Sequence, residues 1–118
     1  MAYRILSNQE RGTVKIHTIE TSGSIVVVGN TSTSDVALGL ENIQFADIRS
    51  VICGTSNNAH WEITRGTNTV FVGTNGVYDL SARAAPITLD NTGTLTITLS
   101  NGSSGDGFII VELSKTSN

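Results

Sequence analysis

Apolar and polar residues alternate in short runs along most of this chain, and polar turns separate the runs. The clearest run covers residues 94–99, where Leu95, Ile97 and Leu99 point one way and three threonines point the other. Because successive side chains of a β-strand face opposite sides of a sheet, this period of two predicts a strand with one buried face. Comparable runs recur at roughly ten-residue spacing, and together they predict about eight strands.

Residues 58–72 predict a β-hairpin built around Trp61, the only tryptophan of the chain. A turn at residues 65–68 joins the two strands, and Gly66 within it can adopt the positive φ that tight turns often require. In this register four apolar side chains share the inward face, with Trp61 opposite Val72 and Ile63 opposite Val70. We therefore expect Trp61 in the core and not as an exposed platform for stacking on sugars.

The last predicted strand covers residues 108–113 and matches the strand before it. Three apolar pairs are expected across these two strands: Leu99 with Ile109, Ile97 with Val111, and Leu95 with Leu113. The opposite face of the last strand carries Phe108 and Ile110, and the hairpin register aims Phe71 away from the core. These three side chains predict a second covered surface, either the other layer of a sandwich or an oligomer contact.

Three segments between the N-terminus and the hairpin have weaker patterns. Residues 25–28 are apolar on both sides, which predicts a strand covered on both faces. Residues 36–40 fit either a short strand or one helical turn. Residues 44–53 predict a strand whose inward side chains are Ala46, Ile48 and Ile52.

The strands together predict an all-β fold, because their spacing lacks the helical segments of βαβ units. We expect a single-domain antiparallel β-sandwich, jelly-roll-like, over residues 13–118, although the pattern alone also fits an immunoglobulin-like sandwich. Residues 81–85 are expected to form a loop that crosses between the sheets, and Pro86 is expected to open a strand at residues 87–89. Residues 1–12 are expected to form an N-terminal arm or a frayed terminus.

Composition agrees with this fold class and limits the chain to one domain. The 118 residues are 38% hydrophobic and 14% charged, with a single proline, and their many threonines, serines, asparagines and glycines suit strands and turns better than helices. The net charge of −3 and the seven lysines plus arginines provide too little positive charge for a nucleic-acid surface. No apolar run has the length of a membrane span or the form of a secretory signal, so we expect synthesis in a cytoplasm.

The residues that usually carry catalysis are scattered along the chain. His17 and His60 fall on outward strand faces and share no metal-ligand spacing with Cys53, which lies in an apolar run typical of a buried thiol. No serine lies in a nucleophile elbow, no glycine-rich loop precedes a helix, and the acidic turns lack the pattern of a calcium loop. We therefore expect no enzymatic activity, no cofactor and no metal site.

The chain from residue 48 onward resembles small virion proteins of tailed bacteriophages. The resemblance is carried by Ser-Val-Ile-Cys-Gly at residues 50–54, by residues 59–70, by Gly-Val-Tyr-Asp-Leu at residues 76–80 and by the last two predicted strands. It is greatest for the head decoration, or cement, proteins of marine and cyanobacterial phages.

This resemblance implies a jelly-roll or related β-sandwich that assembles, often as a trimer, on the outer surface of the phage head. There it would bind the major capsid protein and stabilise contacts between neighbouring capsid subunits, as a structural component of the virion. The N-terminal residues are where a capsid-binding arm is expected. The candidate interface residues are Arg4, Ile5, Leu6, Phe71, Phe108 and Ile110. The alternative is a receptor- or carbohydrate-binding β-sandwich module of a phage tail or fibre, with Tyr78, Trp61 or loop residues forming the site.

Overall fold

The structure is a computed structural model that describes residues 3–18, 22–80, 86–101 and 106–118. These residues form nine β-strands and no helix. The strands are β1 (Tyr3–Asn8), β2 (Thr13–Thr18), β3 (Ser22–Ile25), β4 (Ile43–Thr55), β5 (His60–Arg65), β6 (Asn68–Gly73), β7 (Gly76–Asp79), β8 (Leu95–Ser100) and β9 (Gly107–Ser117).

The strands form two antiparallel sheets, one with the order β1-β2-β9-β4-β7 and one with the order β3-β8-β5-β6. Four of the pairings join strands progressively closer in the chain: β2 with β9, β3 with β8, β4 with β7 and β5 with β6. The chain from β2 to β9 is therefore one long antiparallel ribbon, folded back at the β5–β6 hairpin and rolled into two sheets. This is the arrangement of a jelly roll. The predicted all-β, antiparallel, jelly-roll-like sandwich is confirmed, with β1 as an additional edge strand.

The sequence predicts an arm or a frayed terminus for residues 1–12, but the structure places Tyr3–Asn8 in the five-stranded sheet as β1. This strand pairs with β2, and Leu6 is the extra residue of a bulge. Ile5 lies opposite Ile16 and packs on the core. Burial of this apolar side chain, together with the backbone hydrogen bonds to β2, is what holds the segment in the sheet.

The core lies between the two sheets, and its predicted members are in place. Leu95 and Ile97 are fully buried, and Trp61 is 1% exposed, which confirms its predicted position in the core. The indole Nε1 of Trp61 donates a hydrogen bond to the Gly54 carbonyl oxygen at 3.2 Å, so burial leaves this donor paired. Cys53 is buried as predicted, and burial raises the pKa of its thiol.

The turn of the hairpin lies where the sequence predicts it. Arg65 pairs with Asn68, and Gly66 between them has a φ of +60°, the left-handed conformation that glycine adopts without strain. Two residues beyond this turn, Val70 is the extra residue of a β-bulge in β6. A bulge moves all later residues of the strand to the opposite face of the sheet.

The bulge makes the predicted hairpin register wrong. Ile63 lies opposite Phe71, and Trp61 lies opposite Gly73. Phe71 therefore faces inward and packs on the core. Val72 lies opposite Glu62 and is 57% exposed, so the side chain that was expected inside is outside.

A bulge also changes the inward face of β4. It falls between Ile48 and Ser50 and makes Arg49 the extra residue. Beyond it Val51 and Cys53 are buried, and Ile52 is 37% exposed. The predicted strand is confirmed, but the predicted inward position of Ile52 is wrong.

The predicted partnership of the last two strands is also wrong, because β8 and β9 lie in different sheets. β8 pairs with β3 and β5, whereas β9 pairs with β2 and β4. The three predicted apolar pairs across them are thus absent, although the buried residues of both strands belong to one core cluster. Alternation identifies a buried face, but it does not say which strand lies next to it.

Four shorter predictions have mixed outcomes. The strand expected at residues 25–28 is instead Ser22–Ile25, and residues 36–40 form neither a strand nor a helix. Ile87 makes only an isolated bridge to Ile48, so the strand predicted at residues 87–89 does not form. Residues 81–85, the expected crossing loop, lie outside the described residues.

Candidate functional site

The outer face of the five-stranded sheet carries a row of apolar side chains. Ile52 on β4 lies opposite Val77 on β7 on one side and opposite Ile110 on β9 on the other. Phe108 lies on the same face two residues before Ile110, and its ring covers Gly54, where a Cβ atom would lie 2.6 Å from Phe108 Cε1. We call Ile52, Val77, Phe108 and Ile110 the outer patch.

The outer patch is open to solvent. Val77 is 70% exposed, Phe108 is 45% exposed, and Ile110 is half-buried between its neighbours. The four side chains expose on the order of 300 Å² of apolar surface, which is similar to the largest patch on many monomeric proteins. A stable interface buries about 800 Å² on each partner, so the outer patch has the size of one contact among several.

Charged and polar side chains border the outer patch. In the next row of the same face, Lys15 lies opposite Glu112 and Glu112 lies opposite Ser50. The Ser50 hydroxyl donates a hydrogen bond to Glu112 Oε1 at 3.3 Å. At the β1 end of the patch row, Arg4 and His17 lie side by side. An apolar centre with a polar rim is the usual organisation of a protein-binding surface.

A shallow concavity of about 390 Å³ adjoins the outer patch at Phe108, between the ends of β4 and β9 and the turn before β7. Among the described residues that line it, Asp106 is the only ionisable one. The side-chain oxygen of Asn75, which also lines it, already accepts a hydrogen bond from the Thr55 N–H at 3.1 Å. This lining therefore holds no pair of titratable groups that could act together as acid and base.

The structure brings together some of the predicted interface residues and separates others. Phe108 and Ile110 lie in the outer patch, and Arg4 lies on the same face at its far edge. Leu6 is exposed at the bulge of β1. Ile5 packs on the core and is not available as a contact residue.

Phe71 is not part of this surface, which corrects its predicted outward position. Its ring meets the ring of Tyr78 edge-on, with centroids 5.1 Å apart and an interplanar angle of 75°. Since Tyr78 lies opposite buried Val51 on the inner face of the five-stranded sheet, this contact bridges the two sheets between β6 and β7. Trp61, the other aromatic residue of the alternative sugar site, is buried.

In the part of the chain that the structure describes, no three histidine, cysteine, aspartate or glutamate side chains lie together in a way that could hold a metal ion. His17 lies on β2 and His60 on β5, in different sheets. Among the residues described, no helix has the length and apolar character needed to cross a membrane.

Three polar side chains meet where the sequence predicts no such contact, two of them fully buried and Asn8 half-buried. The side chains of Lys115 on β9 and Glu41 in the turn before β4 are fully buried, and Lys115 Nζ lies 2.8 Å from Glu41 Oε1. Lys115 Nζ also donates hydrogen bonds to Asn8 Oδ1 on β1 at 2.7 Å and to the Val36 carbonyl oxygen at 3.2 Å. We call Asn8, Glu41 and Lys115 the buried triad.

The carboxylate of Glu41 is held by donors on both oxygens. The Leu38 N–H donates to Oε1 at 2.7 Å, and the Arg11 N–H and Ser117 hydroxyl donate to Oε2 at 2.8 and 3.2 Å. Burial raises the pKa of Glu41, but the hydrogen bonds from Lys115, Arg11 and Leu38 and the charge of Lys115 outweigh burial, so the pKa lies below its ordinary value of 4.5.

One signal in the sequence could have found Lys115. The alternation of Ile109, Val111 and Leu113 continues to Lys115, which therefore occupies the next inward position of β9. A lysine in such a position needs a buried partner, because an unpaired buried charge is very unfavourable. The partners are 107 and 74 residues away in the chain, and no local pattern connects them.

Comparisons of the chain with protein-family models, with curated proteins and with solved structures found no match.

Proposed function

We propose that this protein is a structural subunit that binds other proteins through the outer patch, as a decoration, or cement, protein on the surface of a bacteriophage head. The observation that carries the proposal is the outer patch itself, four apolar side chains on the open face of a sheet within a charged rim. An apolar centre within a polar rim is the usual organisation of a protein contact site.

The small area of the outer patch favours binding through repeated contacts. A subunit that engages several neighbours at once gains effective concentration, so contacts that are weak individually give stable attachment together. A symmetric oligomer repeats every contact once per copy. The resemblance to phage decoration proteins supplies the partners in this proposal: the major capsid protein on the outer head surface and two further copies of the chain in a trimer.

The fold by itself does not select this function, because jelly rolls occur in both viral capsid and lectin domains. The sugar-binding alternative relied in part on Trp61 as a stacking platform. Since Trp61 is buried in the core, the outer patch is the better supported binding surface.

Binding to phage heads tests the proposal directly. Expanded empty heads assembled from the major capsid protein of the encoding virus are mixed with the purified protein and sedimented, and the bound fraction gives the affinity. We expect the Val77→Ser/Phe108→Ser double variant to lose at least about tenfold in affinity, because it removes the most exposed part of the patch. A Val72→Ser/Leu89→Ser double variant is the matched control, since both residues are 57% exposed and lie outside the patch.

Light scattering after size-exclusion chromatography gives the oligomeric state of the same samples. We expect about three times the 12.4 kDa mass of one chain. A monomer that ignores the heads would refute the proposal, and so would a patch variant that binds as well as the control. Equal thermal melting of the two double variants shows that any difference in binding is not a difference in folding.

A further inference from the structure

The buried triad has the composition and contacts of a reactive site. It combines a primary amine, a carboxamide and a carboxyl group, and Lys115 Nζ touches both of the others. The side chains of Lys115 and Glu41 are fully buried. Replacing such an ion pair by apolar residues is often neutral or stabilising, so stability alone is a weak reason for a protein to contain one.

We propose that Lys115 and Asn8 join in an intramolecular isopeptide bond, formed by the folded protein itself with Glu41 as the group that transfers the proton. The bond would link the first strand of the fold to the last one. This inference rests on the interior of the sandwich and does not depend on the function proposed for the outer patch.

The reacting atoms are already close together. Because Lys115 Nζ lies 2.7 Å from Asn8 Oδ1 and a C=O bond is about 1.23 Å long, Nζ lies within about 4 Å of Asn8 Cγ. In this position Nζ donates to Oδ1, and the attack requires it to move over the face of the carboxamide. Asn8 Nδ2 donates a hydrogen bond to the Val36 carbonyl oxygen at 3.0 Å. The same oxygen accepts from Lys115 Nζ at 3.2 Å, so one backbone carbonyl positions both the attacking and the leaving nitrogen.

Glu41 provides the proton acceptor that the amine needs. A protonated lysine is not a nucleophile, and a lysine is activated when burial disfavours its charged form. Transfer of one proton from Lys115 Nζ to Glu41 Oε1, across 2.8 Å, turns the buried ion pair into a neutral amine and a neutral carboxylic acid. The hydrogen bonds that lower the pKa of Glu41 oppose this transfer, so the neutral pair is the minor species from which the reaction proceeds.

The step balances without any further reactant. The lone pair of neutral Lys115 Nζ attacks Asn8 Cγ and forms the new C–N bond, while the electrons of the C=O bond move to Oδ1. Nζ loses two protons in all. Glu41 passes the first to the departing nitrogen as a general acid and then takes the second from Nζ as a general base. The Cγ–Nδ2 bond then breaks, the carbonyl re-forms, and ammonia leaves. Relative to the starting ion pair, one proton stays on Glu41, so the product contains a neutral carboxyl group and an amide with no buried unpaired charge.

Intact-protein mass spectrometry of the full chain measures this reaction. We expect a mass lower than that of the sequence by about 17 Da, the mass of one ammonia, after allowance for removal of Met1. Tryptic digestion should give a branched species in which residues 5–11 are joined to residues 84–118, with no cleavage after Lys115. Fragmentation of this species places the bond between Asn8 and Lys115.

Variants identify the side chains that take part in the bond. We expect Lys115→Met, Asn8→Ala and Glu41→Gln to keep the full mass, because they remove the nucleophile, the electrophile and the proton acceptor in turn. Asn8→Asp should lose about 18 Da instead, since water replaces ammonia as the leaving group. Exposed Lys15 and Asn42 provide the matched controls Lys15→Met and Asn42→Ala, which should retain the loss of ammonia.

Two results would overturn the proposal. One is a wild-type chain that has the full mass of its sequence after folding. The other is a loss of ammonia that persists in Lys115→Met, because that loss would come from an asparagine side chain closing on its own backbone. Neither result depends on whether Glu41→Gln folds, so the proposal remains testable even if that variant is unstable.

Discussion

The register of the β5–β6 hairpin can be tested by shortening two neighbouring side chains of β6, Phe71 and Val72, to alanine. In the structure Phe71 packs on the core and against Tyr78, whereas Val72 is 57% exposed. Without the bulge at Val70 the two positions would exchange faces. The two variants therefore give opposite results in the two registers.

The expected costs follow from these contacts. Truncation of a buried phenylalanine to alanine costs about 3–5 kcal/mol, and an edge-to-face aromatic pair contributes about 0.5–1.5 kcal/mol. Because Phe71 is only half-buried, we expect Phe71→Ala to lower the free energy of unfolding by about 2–3 kcal/mol. Val72→Ala removes an exposed side chain and should change it by no more than about 0.5 kcal/mol.

Urea denaturation followed by the fluorescence of Trp61 measures both values. The indole is 1% exposed and is transferred to water on unfolding, so its emission reports loss of the core. With an unchanged m-value, Phe71→Ala should lower the urea midpoint by about 1–2 M and the melting temperature by about 10 °C.

A larger loss for Val72→Ala than for Phe71→Ala would refute this reasoning. It would mean that Val72 faces the core opposite Trp61 and that β6 has no bulge at Val70. Equal losses would show that the strand has no fixed register, which is expected only for a weakly specified edge strand.

Two further predictions concern buried charges. Arg65 is 1% exposed and donates hydrogen bonds to three backbone carbonyl oxygens, at 2.6 to 3.1 Å. Calorimetry should therefore show that Arg65→Met lowers the free energy of unfolding by about 2–4 kcal/mol. Arg4→Met, at an exposed position, should leave it nearly unchanged. For Glu41 the test is made in the Asn8→Ala variant, which keeps the Lys115 ammonium. The pKa of Glu41 is lower in the folded chain than its ordinary value of 4.5, so the unfolded chain binds more protons as the pH falls. The free energy of unfolding should therefore decrease as the pH falls from about 5 through the folded-state pKa of Glu41. Adding Glu41→Gln to the Asn8→Ala variant should make the urea midpoint fall less steeply over the same pH range. An equally steep fall in both would show that Glu41 does not contribute.

Local physics explains what the sequence determined by itself. Period-two alternation placed Leu95 and Ile97 on a buried face, and turn chemistry placed Gly66 at the hairpin turn, because both signals depend only on neighbouring residues. Trp61 was placed inside because it shares one face of its strand with Ile63, and it is buried although Val72, expected opposite it, faces outward. The all-β fold class then followed from the repetition of such runs.

Contacts between distant parts of the chain decided the rest. The bulges at Val70 and Arg49 reverse the face of every residue after them, and their positions depend on how each strand fits its neighbours and the core. Alternation also does not specify which strands pair. The two sheets of the folded chain, and not the pattern of the sequence, separate β8 from β9. The buried triad is the extreme case: Asn8, Glu41 and Lys115 come from the first strand, a turn and the last strand. Their meeting is a property of tertiary structure, because only packing of the two chain ends in one sheet brings these side chains within reach of one another.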